Sequence, residues 1–261
     1  MNMPYEPVSM LAIGLVVFIL GMSKGGFPIS GISLPLLVLI WPEQGQAARS
    51  AVSFMLPLLC LMDIVGALMY RKNIAWHHIV KLMPATFAGV TVASLLFVAE
   101  DGIAFTDQVL KIVIGIIGLL FSGWYIMGRP KMPFSSNNKS RSFRPSIYGF
   151  FGGLSSTIAH AAGPVMQMYF LPTGLPKIVF AGTTVYFFLI LNGIKLIPFF
   201  YYKRITNQQL LDSIWFLPII PIGVIGGYTC VRLMQEKHYT RFIHFTLAAT
   251  SLILILRAVV Q

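Results

Sequence analysis

Long apolar stretches recur along almost the whole chain and limit the folds that it can adopt. Most are about 20 residues long, the length at which a helix spans the hydrocarbon core of a bilayer. Only 10 % of the 261 residues are charged, whereas soluble domains carry about 25 % charged residues. The sequence therefore predicts an all-α polytopic membrane protein. The apolar stretches are residues 8–41, 47–69, 79–99, 108–127, 146–172, 178–201, 209–233 and 242–260.

The positive charges lie mainly in the short connections between these stretches. The formal net charge is +11, but basic residues in connecting loops are how a membrane protein sets its orientation, so we do not expect nucleic-acid binding. The polar segment 129–145, RPKMPFSSNNKSRSFRP, is predicted to be a basic cytoplasmic linker. It divides the chain into an N-terminal membrane repeat, 1–128, and a C-terminal one, 146–261. Cys60 and Cys230 follow no metal-ligand spacing, and we expect no metal or cofactor.

The two halves share three features in the same order. Each opens with a segment broken by small residues and a proline, SKGGFP in the first half and AHAAGP in the second. Each later has a basic turn, YRKNI or YYKRI, followed by P-x-x-x-x-G at 84–89 or 218–223. This pattern favours an internal duplication into two four-segment repeats. Paired Gly/Pro-interrupted segments in corresponding positions point to a transporter's binding site.

The orientation of the repeats depends on what the breaks do. If each broken segment crosses the membrane, the repeats are parallel; if each is a re-entrant hairpin, they are inverted. The pieces flanking GMSKGGFP have about 13–16 residues, or roughly 20–24 Å of helix, which is too short to span a core of about 30 Å. The positions of the basic residues also favour the inverted arrangement. The parallel arrangement is the alternative.

The first break has the composition of an anion site. Gly25 and Gly26 allow close approach and unusual dihedral angles, and Pro28 suits the first turn of a new helix. The N-terminus of a helix there would attract an anion, beside the full positive charge of Lys24. Ser23 and Ser30 add hydroxyl groups. The alternative is structural, with Lys24 reaching an interface and the glycines allowing close helix packing.

The second break repeats this composition. Gly163 would restart a helix, His160 takes the place of Lys24, and Ser156 and Thr157 supply hydroxyl groups. Two half-helix N-termini facing each other near the membrane midplane would form an oxyanion site. Three more hydroxyl residues could line it, although such residues in membrane helices more often bond their own backbone. They are Ser53, Thr183 and Thr184.

Two charged residues lie within apolar segments. Asp63 and Lys195 occupy equivalent places in the two halves when these are aligned on Tyr70 and Tyr202. Intramembrane charges usually pair or serve transport. The sequence leaves two interpretations open: a structural Asp63–Lys195 pair, or a role in gating or proton coupling shared with His160. Asn192, one turn before Lys195, would lie on the same helix face.

These motifs resemble the TauE/SafE family of sulfite-exporter-like permeases. The resemblance rests on GMSKGGFPISGISLPLLVL, on the basic turns followed by P-x-x-x-x-G, and on GFFGGLSSTIAHAAGP. It implies a multi-pass carrier of the bacterial inner membrane that moves sulfite, sulfonates, thiosulfate or related anions. Lys24 and His160 stand where the family pattern has small residues, which puts charge into both breaks.

The sequence thus predicts a secondary transporter that moves a small anion by alternating access. Coupling of this transport to protons is an optional part of the hypothesis. Its expected partners are the anion, protons and the lipid bilayer. An enzyme is not expected, because H-E-x-x-H and a pair of intramembrane aspartates are both missing from the sequence. The alternatives are a channel and a non-transporting membrane partner or assembly protein. The oligomeric state is not predicted.

Overall fold

A computed structural model describes residues 5–29, 37, 47–95, 112, 116, 119, 123 and 138–260. These residues form helices joined by short turns and contain no β-strand, which confirms the all-α class for the described part of the chain. The helices are α1 Pro7–Lys24, α2 Ala47–Tyr70, α3 Trp76–Leu95, α4 Asn138–Ala159, α5 Ala162–Phe170, α6 Lys177–Tyr201, α7 Asn207–Ser213, α8 Ile219–Leu233 and α9 Glu236–Val260.

Four of the described helices are long and apolar enough to cross a membrane. They are α1, the Ser50–Tyr70 part of α2, α3 and α6. A fifth candidate is the pair formed by Asn207–Phe216 and Ile219–Leu233, which is bent by 57°. The predicted segment 108–127 and the N-terminal part of the linker 129–145 lie almost entirely outside the described residues.

Two sequence-based boundaries differ from the structure. The apolar stretch 209–233 was expected to be one segment, but it bends between α7 and α8, where a short 3₁₀ turn, Ile214–Phe216, precedes Pro218. Proline has no N–H to donate to the preceding turn, so the helix restarts there. In addition, α4 begins at Asn138, inside the predicted linker, so that polar helical turns precede the apolar part of that segment.

The chain divides into two compact units that each combine parts of both sequence halves. The first unit consists of Met1–Ile74 and Ala181–Met234, and the second consists of Ala75–Phe180 and Gln235–Gln261. Each unit thus pairs helices that are distant in the sequence.

In the first unit, α1 packs against α2 and α8 around an apolar core. Val17, Phe54, Met62 and Val224 are fully buried there, with Leu37. The Phe54 ring meets Phe216 edge to face at a centroid distance of 5.8 Å. This core fixes the end of α1 against its neighbours.

Close approach of α1 and α8 depends on glycine. A Cβ atom on Gly223 would lie 2.7 Å from the carbonyl oxygen of Phe18, and one on Gly227 would overlap the carbonyl of Met22. Gly25 is equally tight against the backbone of Val224. Small residues at helix contacts are typical of membrane proteins, because they let two backbones approach.

In the second unit, α3 packs along α4 in a similar way. A Cβ atom on Gly89 would overlap the carbonyl of Phe150, and one on Gly153 would overlap that of Thr86. Gly89 and Gly223 are the glycines of the two P-x-x-x-x-G motifs. Each lies against the helix that opens the other half of the sequence.

We predict that Gly227→Ala destabilises the protein, because the added methyl group must separate α1 from α8. The expected loss is about 1–3 kcal/mol in the free energy of unfolding, measured by denaturation in mixed micelles. Gly226→Ala is the matched control, since a Cβ atom there meets nothing within 4 Å. Equal stability of the two variants would contradict the packing described here.

Candidate functional site

The first break interrupts α1 at Lys24, as the sequence predicts. The amide N–H groups of Gly25, Gly26 and Phe27 donate to carbonyls of the last turns, at 2.8, 3.0 and 3.1 Å. Gly26 has a φ of 97°, a conformation that favours glycine. The chain is non-helical from Gly25 to Ile29. Ser30 and the helix expected after Pro28 lie outside the described residues.

One face of α2 meets the end of α1. Asp63, Gly66 and Tyr70 share this face, being three and four residues apart. Gly66 leaves room for the carbonyl of Lys24, which would lie 2.7 Å from a Cβ atom there. The Tyr70 hydroxyl donates a hydrogen bond of 2.7 Å to the carbonyl of Gly25. Together they accommodate two carbonyl groups that the broken helix leaves without an intrahelical partner.

A buried ion pair joins the two helices at the same place. The ammonium Nζ of Lys24 lies 2.9 Å from Oδ1 and 3.2 Å from Oδ2 of Asp63. The side chain of Asp63 is 0 % exposed and that of Lys24 is 10 % exposed. Asn192 of α6 donates a 2.6 Å hydrogen bond from Nδ2 to Oδ2 of the same carboxylate. We call Lys24, Asp63 and Asn192 the buried charge network.

Two further residues of α6 belong to the surroundings of this network. The Lys24 ammonium lies over the Phe188 ring, 4.3 Å from its centroid, in a cation–π contact. Lys195 is fully buried and interacts electrostatically with both Lys24 and Asp63. Asp63 thus has its ion pair with Lys24 and its hydrogen bond with Asn192, while a structural pair with Lys195 is one of the two interpretations that the sequence leaves open.

This geometry changes the chemistry that we expected of Lys24. The sequence predicts a free cation beside an anion site, but here the Asp63 carboxylate balances the charge of Lys24. Taking two charges out of water is costly, and a buried pair repays the cost only with good geometry and further hydrogen bonds. Asn192 supplies such a bond. The carboxylate of Asp63 is therefore held by Lys24 and Asn192 as an oxyanion would be held in a binding site.

The second break, in the second unit, has a different local geometry. α4 ends at Ala159 and α5 begins at Ala162. The N–H of Ala161 donates to the carbonyl of Ser155 at 3.2 Å, and that of His160 donates to the carbonyl of Ser156 at 3.0 Å. His160 has a φ of 47°, in the left-handed region where glycine is usual and histidine is enriched among other residues. Strain of this kind clusters at functional sites.

The hydroxyl groups near the second break bond their own helix. Ser155 donates to the carbonyl of Phe151 at 2.6 Å, and Thr157 donates to that of Gly153 at 2.8 Å. The proton of Thr157 is therefore used within α4, which is common for hydroxyl residues in membrane helices. Ser156 and Gly163 are buried nearby.

The structure brings the residues of the first break together with the intramembrane charges, all within the first unit. Ser23 lies in the last turn of α1, Ser53 and Thr183 are buried, and Thr184 is half-buried. The group around His160 belongs to the second unit. Among the described residues, no cluster of three or more His, Cys, Asp or Glu side chains could hold a metal ion.

Sequence reasoning missed two residues that complete the first break. In the sequence, Tyr70 only aligns the two halves, and nothing distinguishes Phe188 from its apolar neighbours in segment 178–201. The Tyr70 ring also meets Tyr228 of α8 edge to face at 5.1 Å, which fixes its hydroxyl toward Gly25. The spacing of Asp63 and Tyr70, two turns apart on one face, was the signal for the tyrosine.

We predict strong energetic coupling between Lys24 and Asp63. Lys24→Gln and Asp63→Asn each leave a buried charge without its partner, which costs about 3–5 kcal/mol. The double variant leaves neither, so the cycle should show a coupling energy of about 1 kcal/mol or more. The measurement is the free energy of unfolding of the four proteins in mixed micelles.

A second cycle, with Asp63→Asn and Lys195→Gln, serves as the comparison. We expect a smaller coupling energy there, because Asp63 makes its contacts with Lys24 and Asn192. A larger coupling with Lys195 than with Lys24 would contradict the geometry of the network.

Comparison with known proteins identifies the family. No curated protein and no solved structure matches the chain. The profile described as "Sulfite exporter TauE/SafE" matches residues 10–257, which is nearly the whole chain. This confirms the resemblance found in the sequence, and the family is one of membrane transporters rather than enzymes. The chain, a multi-pass membrane protein with a buried charge network at its first helix break, belongs to the TauE/SafE sulfite exporter family.

Proposed function

We propose that this protein is a secondary transporter of a small sulfur oxyanion or organosulfonate, of the sulfite, thiosulfate or sulfoacetate type. The single observation that carries the proposal is the buried charge network at the first break of a TauE/SafE chain. Broken helices at membrane depth are tolerated where they are buried in protein or line a wet cavity. Intramembrane charges at such a break mark a pathway for ions.

The donors around Asp63 suit an oxyanion. Lys24 contributes a full positive charge, and Asn192 contributes an amide N–H. Charge-assisted hydrogen bonds of this kind are stronger than neutral ones. A sulfonate or sulfite group presents oxygen acceptors like those of the carboxylate, so these donors could replace part of its hydration shell. The Ser23 hydroxyl in the last turn of α1 is a further candidate ligand.

The architecture that we propose has two inverted repeats, 1–128 and 146–261, each opening with a broken segment. The corresponding contacts of Gly89 and Gly223 support it, since each glycine packs on the opening helix of the other half. His160 and the N-terminus of α5, within the second unit, are in this proposal a second anion-binding element. Alternating access by rocking of the repeats, an inner-membrane location and a cytoplasmic linker 129–145 belong to the same proposal.

The test of the function is anion flux into proteoliposomes that contain the purified protein. Sulfite, thiosulfate, sulfate, sulfoacetate and taurine are supplied one at a time, with and without a pH gradient. We expect saturable flux of at least one sulfur anion. We also expect Lys24→Gln to reduce its rate by about tenfold or more, since the ligand charge is lost.

Lys72→Gln is the matched control for that variant, because Lys72 is exposed in the basic turn after α2. Its flux should stay close to that of the wild type. Absence of flux for all five anions, from protein shown to be folded, would contradict the proposed function.

The inverted arrangement predicts the side of the turn that joins α5 and α6. Reporter fusions after Gly174, in that turn, should report the same side of the membrane as fusions within 129–137. The reason is that a re-entrant hairpin returns the chain to the side from which it entered. Reporters on opposite sides would mean that the broken segment crosses the membrane and that the repeats are parallel.

A further inference from the structure

The buried charge network raises a problem for any anion that approaches Lys24. The Asp63 carboxylate is 2.9 Å from the ammonium group, so a second anion at Lys24 would lie beside a negative charge in an apolar environment. Like charges at such distances repel strongly when water is excluded. An anion can therefore take Lys24 as a ligand only if Asp63 loses its charge or moves away.

We propose that Asp63 is an internal competitor of the transported anion, and that the anion replaces it at Lys24 when Asp63 takes up one proton. This inference rests on the proposed function and deepens it by naming the coupling residue and the stoichiometry. In the exchange, a proton from the aqueous phase adds to a carboxylate oxygen of Asp63, which becomes a neutral carboxylic acid. The Lys24 ammonium keeps its protons and changes its partner.

Three features of the network suit such an exchange. The side chain of Lys24 is 10 % exposed whereas that of Asp63 is fully buried, so of the two only the Lys24 side chain is open to an incoming anion. The Phe188 ring, 4.3 Å from Nζ, remains a partner for the ammonium while the carboxylate leaves. Asn192 can bond either form of Asp63, because its amide carries both donors and an acceptor. It would act as a positioning residue that holds the neutral acid in place.

The position of Lys24 also suits a change of partner. It is the last residue of α1 and directly precedes Gly25 and Gly26, where the backbone leaves the helix. A small change in the turn would move the ammonium without unwinding the apolar part of α1. The charged groups that face Asp63 are Lys24 from α1 and Lys195 from α6, with Cys60 one turn away on α2.

The exchange makes transport depend on protons with a defined sign. Because anion binding takes up one proton, affinity should rise as pH falls. The apparent KM should increase about tenfold per pH unit as pH rises, over the range in which Asp63 is ionised in the anion-free protein. The probes are thiosulfate and sulfoacetate, whose own charges stay constant between about pH 6 and about pH 8, so that only the protein titrates.

The experiment measures initial flux into proteoliposomes that contain a trapped pH-sensitive dye. For the wild type we expect internal acidification by about one proton per anion, with the KM dependence given above. Asp63→Asn keeps the size of the side chain but cannot exchange a proton. It should transport without acidification and with a KM that no longer depends on pH. Cys60→Ser is the matched control and should retain both proton effects, because it leaves the carboxylate in place.

A binding measurement gives a second readout that does not depend on flux. In Asp63→Asn the Lys24 ammonium has lost its carboxylate partner, so thiosulfate should raise the thermal midpoint of this variant by several degrees. The wild type at neutral pH should gain much less, because its ammonium is already paired. Ligands stabilise a protein according to their affinity for the folded state. The double variant Lys24→Gln/Asp63→Asn should show no such gain.

The outcomes separate this inference from the function on which it rests. Flux without proton uptake in the wild type would overturn the inference and leave the transporter intact. Proton uptake that persists in Asp63→Asn would also overturn it, since another group would then carry the proton. If Asp63→Asn does not fold, the number of protons that the wild type takes up per anion tests the inference by itself. No flux of any sulfur anion at any pH would overturn the function and the inference together.

Discussion

The end of α1 imposes the constraint on which the rest of the first unit depends. A helix that stops among apolar neighbours leaves carbonyl groups and a largely buried lysine that need partners from the protein. The structure answers with one face of α2, on which Gly66 and Tyr70 accommodate two carbonyls and Asp63 pairs with the ammonium of Lys24. Gly227 of α8 closes the same turn from another side. Replacing any one of these residues leaves a buried polar group or a clash.

The same constraint links stability to transport. A buried ion pair is weak evidence for stability by itself, because apolar residues of similar size often serve as well or better. Its position at a helix break, in a chain of a transporter family, is the basis of the role in transport that we propose. If the Asp63 carboxylate stands in the place of the anion, it balances the charge of the Lys24 ammonium while no anion is bound. It can then bind substrate without exposing an unpaired charge to the apolar interior.

Much of this fold could be predicted from the sequence. Apolar stretches of membrane length locate the helices, and the small residues of SKGGFP and AHAAGP locate both breaks, because few other residues suit such backbone geometry. The intramembrane position of Asp63 also identified it as a residue that needs a partner. These features depend on local composition, which a single sequence displays directly.

The partners could not be predicted in the same way. Aligning the halves places Asp63 opposite Lys195, but a contact between helices depends on how they rotate and cross, which composition does not record. For the same reason Phe188 looked like one more apolar residue. The bend at Pro218 could not be predicted from the proline alone, because the equivalent Pro84 lies inside a continuous helix, α3. A proline thus breaks the helix in one half and is tolerated in the other.

The protonation state of Asp63 in the anion-bound protein tests the central claim most directly. Infrared difference spectroscopy on the purified protein, recorded as thiosulfate is added, detects the carbonyl stretch of a protonated carboxyl group. The account predicts that this band appears in the wild type on anion binding and is missing in Asp63→Asn. Saturable thiosulfate binding with no new band in the wild type would show that Asp63 stays ionised, and would contradict the exchange of partners at Lys24.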